Sequence, residues 1–440
     1  MESFQMIFGT DGIRGYPYKG VLTEQGLLAI GLSIGKLISE DNSEIKNIFI
    51  ASDTRSSTTF IKNNLKKGLN TFGIGTTDLG ILPTSSVSIM CNKYPKSYGL
   101  VITASHNNNE YNGIKIFNNI GEKINDDEQK IISKFYEYFI KRKIKTRINN
   151  KINIKYLNSI DEYSDFILGK FIKRGSFKIG IDLANGSSYK ATKMIMSKTN
   201  NKCFYIGDKP NGENINSGIG VENTNPLRQL IINKGLDFGV AFDGDADRVV
   251  FIDNKGRQVD GDKLLDFLSS KLLKKADKFV TTIMTNNAID NNLSKKGIKV
   301  IKTDVGDRNV YQSMVKNKSN FGGENSGHYI FKNLLNTSDS NLTLLIICNI
   351  IKDAKDFHKI YNRKMNPSIL KSYTVLKKED LKKISSISTF KRNFISKNKD
   401  YYLNIRYSGT ENKIRILIQG KDKVIIEEYI KEFSELVKKL

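Results

Sequence analysis

Ile48-Phe-Ile-Ala-Ser-Asp53, followed by Thr54-Arg-Ser-Ser-Thr58, reads as a short β-rich apolar run that ends in a polar loop. Behind the loop, Ile61, Leu65, Leu69 and Phe72 recur at three- and four-residue intervals, which lines them along one helical face. The same order returns twice. Lys178-Ile-Gly-Ile-Asp-Leu183 leads through the loop Ala184–Ser188 into a segment reaching Met196. Phe279-Val-Thr-Thr-Ile-Met284 leads through Thr285-Asn-Asn287 into a segment that ends before Gly297. Strands alternating with helices predict mixed or mostly parallel sheets covered on both faces. No short period recurs, so the repetition points to three related α/β domains and not to a solenoid.

A chain of 440 residues is too long for one ordinary core. The basic, turn-rich stretch from Lys141 to Lys151 is a plausible linker and sets the first domain at 1–148. A second domain, 149–253, ends where Asp253-Asn-Lys-Gly-Arg257 gives way to the helical Lys263-Leu-Leu-Asp-Phe-Leu268. The third, 254–366, ends near Asn362-Arg-Lys-Met-Asn-Pro367. The remainder, 367–440, carries strand-like Tyr402–Arg406 and Ile414–Ile418 and an amphipathic closing segment from Glu427 to Lys438. It is expected to be a small α+β domain.

With 39% hydrophobic residues the chain has material for sizeable cores. Its longest apolar run, Leu342 to Ile351, is too short to cross a bilayer. No secretory pattern opens the sequence at Met1 to Ile7, and Cys91, Cys203 and Cys348 are too scattered for a disulfide framework. A cytoplasmic protein that does not bind membranes is expected. The net charge of +24 invites a nucleic-acid reading. The cations, however, are 57 Lys against 13 Arg, whereas base readout and planar phosphate recognition favour Arg. Lys, Asn, Ile, Phe and Tyr all use A/T-rich codons, so composition bias accounts for most of the charge. No helix-turn-helix, zinc or aromatic-platform pattern stands out, and no specific nucleic-acid partner is expected.

The strongest chemical motif is Phe242-Asp243-Gly-Asp245-Ala-Asp247-Arg248, directly after Phe238-Gly-Val-Ala241. Small residues separate three carboxylates, and hard oxygen donors of this kind suit Mg²⁺. An EF-hand would need Gly where Arg248 stands and Glu where Asn254 stands. In Leu100-Val-Ile-Thr-Ala-Ser105-His106-Asn107 a β-rich run delivers a hydroxyl at a strand end, and Asn112-Gly-Ile-Lys115 returns a cation towards it. Gly322-Gly-Glu324-Asn-Ser326-Gly-His328, after Thr303-Asp-Val-Gly-Asp307-Arg308, offers donors and acceptors without bulk, which suits sugar hydroxyls. Arg406-Tyr-Ser408-Gly409-Thr410-Glu411, with Arg415, suits a phosphate cradle. It lacks the Gly-Lys-Ser/Thr ending of a nucleotide-triphosphate loop. Phe8-Gly-Thr-Asp-Gly-Ile-Arg14-Gly15 is by itself a tight turn with one Arg.

Taken in this order the five motifs resemble the phosphohexose mutase superfamily, most of all its bacterial phosphoglucosamine mutase branch. The likeness runs from Phe8 to Arg415 and includes Leu79-Gly-Ile-Leu-Pro-Thr84 and Val305-Gly-Asp-Arg308. It implies four domains around one central cleft and an intramolecular phosphotransferase, that is, an isomerase. Ser105 would be a phosphoserine, and Asp243, Asp245 and Asp247 would hold Mg²⁺ with it. Arg14, His106, Lys115 and Arg248 would surround the reacting group, with Lys115 the acid–base candidate. Asp307, Glu324 and Ser326, with His328 nearby, would bind the sugar. Arg406, Ser408, Gly409, Thr410 and Arg415 would grip the phosphate that is not reacting.

The implied substrate is a phosphosugar. Glucosamine 6-phosphate would become glucosamine 1-phosphate through glucosamine (or glucose) 1,6-bisphosphate as intermediate or activator. The product would feed UDP-N-acetylglucosamine and cell-wall precursors, and a homodimer is a further expectation. A phosphoglucomutase or phosphomannomutase of the same fold is the nearest alternative. A phosphatase using Asp243 as nucleophile is disfavoured because Asp247 takes the fifth place of its Asp-x-Asp-x-Thr/Val pattern. The chain departs from the family where Asn108, Tyr407 and Asn412 replace Pro, and at Ile219–Asn223. Looser turns beside Ser105 and in the cradle are expected.

Overall fold

In the computed structural model, which describes residues 6–40, 44–142, 153–156, 158–170, 176–408 and 412–438, each repeated apolar run becomes the middle strand of a parallel trio. The first sheet contains β1 (Ile13–Gly15), β2 (Asn47–Ser52), β3 (Gly75–Ile81), β4 (Ser97–Ile102), β5 (Asn112–Phe117) and β6 (Asn153–Lys155), in the order β1-β5-β4-β2-β3-β6. β2 runs parallel to β3 and β4, and β5 antiparallel to β4. Ile48 to Ser52 are all buried, as a strand covered on both faces requires.

The helix after β2 spans Thr58–Asn70, and its Ile61, Leu65 and Leu69 are fully buried. Phe72 lies past the helix end and packs half-buried on the same core. This helix crosses Glu24–Glu40 so closely that a Cβ on Gly68 would stand 2.5 Å from the carbonyl oxygen of Leu28.

The second sheet contains β7 (Lys178–Asp182), β8 (Lys202–Ile206), β9 (Phe238–Phe242) and β10 (Val249–Asp253), in the order β10-β9-β7-β8. β9 and β10 form an antiparallel hairpin in which Phe242 faces Val249, so Asp243–Arg248 is the hairpin loop. These two sheets belong to one compact unit, Met1–Val259 with Ser326–Lys359. The second unit is Asp260–Asn325 with Ile360–Leu440. In it, β11 (Lys278–Thr282) lies between parallel β12 (Lys299–Thr303) and β13 (Phe321–Gly323). A three-stranded antiparallel sheet of β15 (Ser368–Thr374), β16 (Tyr402–Tyr407) and β17 (Lys413–Gln419) has β17 in the middle. Helix Lys423–Val437 covers it through Ile426, Ile430, Phe433 and Val437.

The α/β class and the small antiparallel C-terminal sheet match the expectation. The helix before the first linker continues to Arg142, and residues 143–152 lie outside the described ones. β6 then adds a sixth strand to the first sheet from beyond residue 148, parallel to β3. The first unit includes the segment Ser326–Lys359 with β14 (Tyr329–Phe331). There Phe357 stacks against Phe238 and Phe251, and the apolar run at Leu342 forms a buried helix, Ser340–Ile350. Among the described residues no helix is long and apolar enough to cross a membrane.

The second strand–loop junction is set by Asp182, whose carboxylate accepts the N–H groups of Ala184 (2.9 Å) and Gly220 (2.7 Å). Ala184 and Asn185 can then turn with left-handed φ of 52° and 48°. Burial pushes the Asp182 carboxyl up to about 6 against the pull of these two donors. A carboxyl that binds its proton more tightly folded than unfolded weakens the fold as pH rises from its unfolded value towards its folded one, by about 1.4 kcal/mol per pH unit. Between pH 4 and pH 7 the unfolding free energy of Asp182→Asn should therefore improve relative to wild type by up to about 3 kcal/mol. Urea titrations at both pH values measure this, and a difference independent of pH would contradict it.

Candidate active site

β4 ends at Ile102, and the chain carries Ser105 just beyond it with φ of 54°. A non-glycine residue in this left-handed region costs about 1 kcal/mol or more and persists only where its surroundings hold it. The Ser105 N–H donates to Thr103 Oγ1 at 2.9 Å, and that hydroxyl donates to Asp53 Oδ2 at 2.7 Å. Asp53 also pairs with Nε of Arg55 at 2.9 Å, both side chains being fully buried.

From there the Arg55 guanidinium reaches the backbone carbonyls of Ser105 (3.2 Å), Asn107 (2.7 Å), Asn108 and Tyr111 (2.8 Å). Asn216 Nδ2 donates to two of the same oxygens, at 2.8 and 2.9 Å. The turn at Asn108 is thus held from outside by Arg55 and Asn216.

The hairpin loop Asp243–Arg248 meets this turn. Ser105 Oγ donates to Asp243 Oδ2 at 2.7 Å. The backbones approach so closely that a Cβ on Gly244 would stand 2.7 Å from the Ser105 carbonyl oxygen. Ala246, with φ of 57°, completes the loop. Carboxylate oxygens of Asp243, Asp245 and Asp247 lie within 4.8 Å of one another, and all three residues are buried. Among the described residues, Asp245 Oδ1 is buried without a hydrogen-bond partner. An all-oxygen donor set with one such bare atom fits a hard divalent cation.

Burial, reinforced by the charges of Asp245 and Asp247, pushes the Asp243 carboxyl well above the carboxylate range. Asp247 is held well below that range; burial opposes this, but Lys115 and His328 beside it prevail. Lys115 sits in the middle of β5, since the expected Gly turn at Asn112–Gly113 is itself strand; it is buried and pairs with Asp247 (2.6 Å), Asp245 (2.7 Å) and Asp11 (2.9 Å). His106 Nδ1 lies 3.4 Å from Ser105 Oγ. Burial, then the positive Arg248 and Arg14, push its imidazole down to about 4, so it is neutral at pH 7. Arg14 reaches the same turn through Asn107 Oδ1 at 3.1 Å. His328, expected near the sugar, instead sets Nε2 3.1 Å from Asp247 Oδ1, with Ser326 Oγ 3.3 Å from its Nδ1.

In the second unit, Glu324 is buried and accepts the Gly306 N–H at 2.9 Å, bracing the loop that precedes Asp307. Asp307 opens helix Asp307–Asn317 and accepts the Arg308 N–H at 2.9 Å. Arg406 and Arg415 face each other across β16 and β17. Burial and the charge of Arg415 lower the pKa of Arg406, which is the environment an anion would relieve. Arg415 Nη2 donates to Ser408 Oγ at 3.2 Å, and Lys378 Nζ to the Ser408 carbonyl at 2.7 Å. Tyr407, in place of Pro, accepts the Glu379 N–H on its hydroxyl at 3.1 Å. Gly409 and Thr410 lie outside the described residues.

Sequence reasoning missed Arg55, Asp11 and Lys378. The signal for Arg55 was Asp53-x-Arg55 immediately after a strand end, a place where α/β sheets gather functional groups. Arg55→Lys cannot span four carbonyls with one ammonium. It should lower kcat at least tenfold while altering KM less, because the turn carrying the Ser105 hydroxyl moves and the groups expected on the sugar do not. An unchanged kcat would show that Asn216 alone holds the turn.

Comparison with known proteins agrees with this geometry. The phosphoglucomutase/phosphomannomutase alpha/beta/alpha domain models I, II and III match residues 5–141, 155–256 and 260–368. A phosphoglucosamine mutase of Nitratiruptor sp. is 34% identical over 98% of this chain and 99% of its own. One of Helicobacter pylori (strain G27) is 34% identical over 98% of each. A Burkholderia thailandensis phosphoglucomutase/phosphomannomutase family protein superposes with a TM-score of 0.79 at 18% identity, over 98% and 97% of the two chains. An Aspergillus fumigatus N-acetylphosphoglucosamine mutase in complex with GlcNAc-6P and magnesium superposes at 0.63 with 14% identity, over 98% and 95%. At such identities these two likenesses bear on the fold alone. Full-length kinship and the domain series together make this chain a member of the phosphohexose mutase family, most like the phosphoglucosamine mutases.

Proposed function

We propose that the protein interconverts glucosamine 6-phosphate and glucosamine 1-phosphate, with Ser105 as the phosphoryl carrier. The observation that carries this is Ser105 Oγ, strained at a strand end and 2.7 Å from Asp243 within a buried tricarboxylate loop. In the forward half, the phosphoryl group leaves Ser105 Oγ for O1 of glucosamine 6-phosphate. The P–Oγ bond breaks, a P–O1 bond forms, O1 gives up its proton and the departing Ser105 Oγ takes one up to become the hydroxyl. The resulting 1,6-bisphosphate reverses its orientation. Its 6-phosphoryl group then returns to Ser105, freeing glucosamine 1-phosphate with a proton on O6.

In the return half the serine proton needs an acceptor. Asp243 Oδ2 already takes the Ser105 hydrogen bond, and ionised beside the cation it would be placed to accept that proton. Mg²⁺ held by Asp243, Asp245 and Asp247 with the serine phosphate would neutralise charge on the transferring group. Lys115 is proposed to serve the sugar-oxygen proton. Its three carboxylate partners favour charge balance as its resting role. Arg14, Arg248 and neutral His106 would line the reacting phosphoryl group.

Asp307, Glu324 and Ser326 would meet the sugar, and Arg406, Ser408, Gly409, Thr410 and Arg415, with Lys378, the distal phosphate. Supply of amino-sugar phosphate for UDP-N-acetylglucosamine in the cytoplasm follows from the same reading.

Ser105→Ala should reduce mutase turnover by at least about a thousandfold, and intact mass should find one phosphate on wild type and none on the variant. Full activity in Ser105→Ala would end the proposal. Substrate choice is tested separately. The ratio kcat/KM should be highest for glucosamine 6-phosphate when compared with glucose 6-phosphate and mannose 6-phosphate, and a clear preference for either neutral sugar would reassign the enzyme within its family.

A further inference from the structure

Asp245 differs from its two neighbours in how its oxygens are used. Oδ2 accepts from Thr84 Oγ1 at 2.5 Å and pairs with Lys115 Nζ at 2.7 Å, whereas Oδ1 is buried and bare. Thr84 holds the residue at a second point, because its N–H donates to the Asp245 carbonyl at 3.0 Å. It is fully buried and opens helix Thr84–Lys93 directly after Pro83, which removes freedom from the segment carrying it.

A second helix start holds the same loop from another side. Ser340 donates its N–H to the Ala246 carbonyl (3.0 Å) and its hydroxyl to the Arg248 carbonyl (2.8 Å). The two helix starts are themselves joined. Ser85 Oγ donates to Asp339 Oδ2, and Asp339 caps its own helix by accepting the Leu342 N–H at 2.6 Å. Tyr163 adds its hydroxyl to the same carboxylate at 2.7 Å. Both N-termini bring positive dipole ends to the acidic loop.

We infer that Thr84 is a positioning residue for the divalent cation: by occupying Oδ2 it fixes the rotation of the Asp245 carboxylate and leaves Oδ1 as the ligand atom. This rests on the reading of the acidic loop as a cation site. Without the Thr84 hydroxyl, Oδ2 keeps only Lys115, and the carboxylate can turn to present either oxygen. Partners of this kind behind a metal ligand typically contribute 10–100-fold in metal affinity. Ser at this position keeps the hydroxyl; Val keeps the shape and loses it.

The test is titration of the full-length, dephosphorylated protein with Mn²⁺, read by electron paramagnetic resonance, for wild type, Thr84→Val and Thr84→Ser. Thermal melts run in parallel, and Thr84→Ala replaces the Val variant if that one does not fold. The expected result is Kd at least tenfold weaker in Thr84→Val, restored to within about threefold in Thr84→Ser, with kcat near wild type for both at saturating Mg²⁺. Wild-type Kd in Thr84→Val would overturn the role of Thr84 and leave the cation site standing. Absence of wild-type binding that Asp245→Asn abolishes would overturn both.

Discussion

Three carboxylates on one six-residue hairpin loop, buried and within 4.8 Å of one another, set the constraint to which the rest of the site answers. Like charges at such separation repel by about 3–4 kcal/mol per pair at an effective dielectric of about 20. Two responses are visible. Lys115 inserts a buried ammonium between Asp245 and Asp247, and Asp243 is driven towards its protonated form. Neither response satisfies Asp245 Oδ1. A loop built this way is poised for a hard cation, and that cation would in turn release Asp243 to ionise.

The loop could not hold its shape alone. Helix starts at Thr84 and Ser340, His328 on Asp247, and the Ser105 turn all press on it. Ser105 and Ala246 meet there in left-handed conformations, each tolerated because hydrogen bonds to neighbouring backbone atoms hold the turn. Such preorganisation suits phosphoryl transfer, where positioning and charge neutralisation supply most of the catalysis. Arg55 is central to it, since one guanidinium anchored by Asp53 spans the loop that carries the Ser105 hydroxyl.

Much of this was legible in the linear chain. The runs at Ile48, Lys178 and Phe279 were readable as strands because continuous apolar stretches bounded by polar loops have few other uses in a sheet covered on both faces. The acidic loop announced itself because small residues between carboxylates leave no structural purpose for them. Arg55 and Asp11 were not legible as site residues, since a buried Arg in a loop looks the same as a solvated one until its partners are known. The contact of His328 was hidden for a similar reason: only the fold brings its ring to Asp247.

By itself the sequence determined the element types, the order of the motifs, the family they resemble and which residues have chemistry to offer. These are local properties: side-chain periodicity, turn-forming Gly and the spacing of charges along a strand end. Only the tertiary structure decided which charges meet. Lys115 and Asp245 are separated by 130 positions and Ser105 and Asp243 by 138, yet each pair is in hydrogen-bond contact. The strength of such contacts, and the pKa values they produce, depends on burial and on distances of a few ångströms, which no linear spacing encodes.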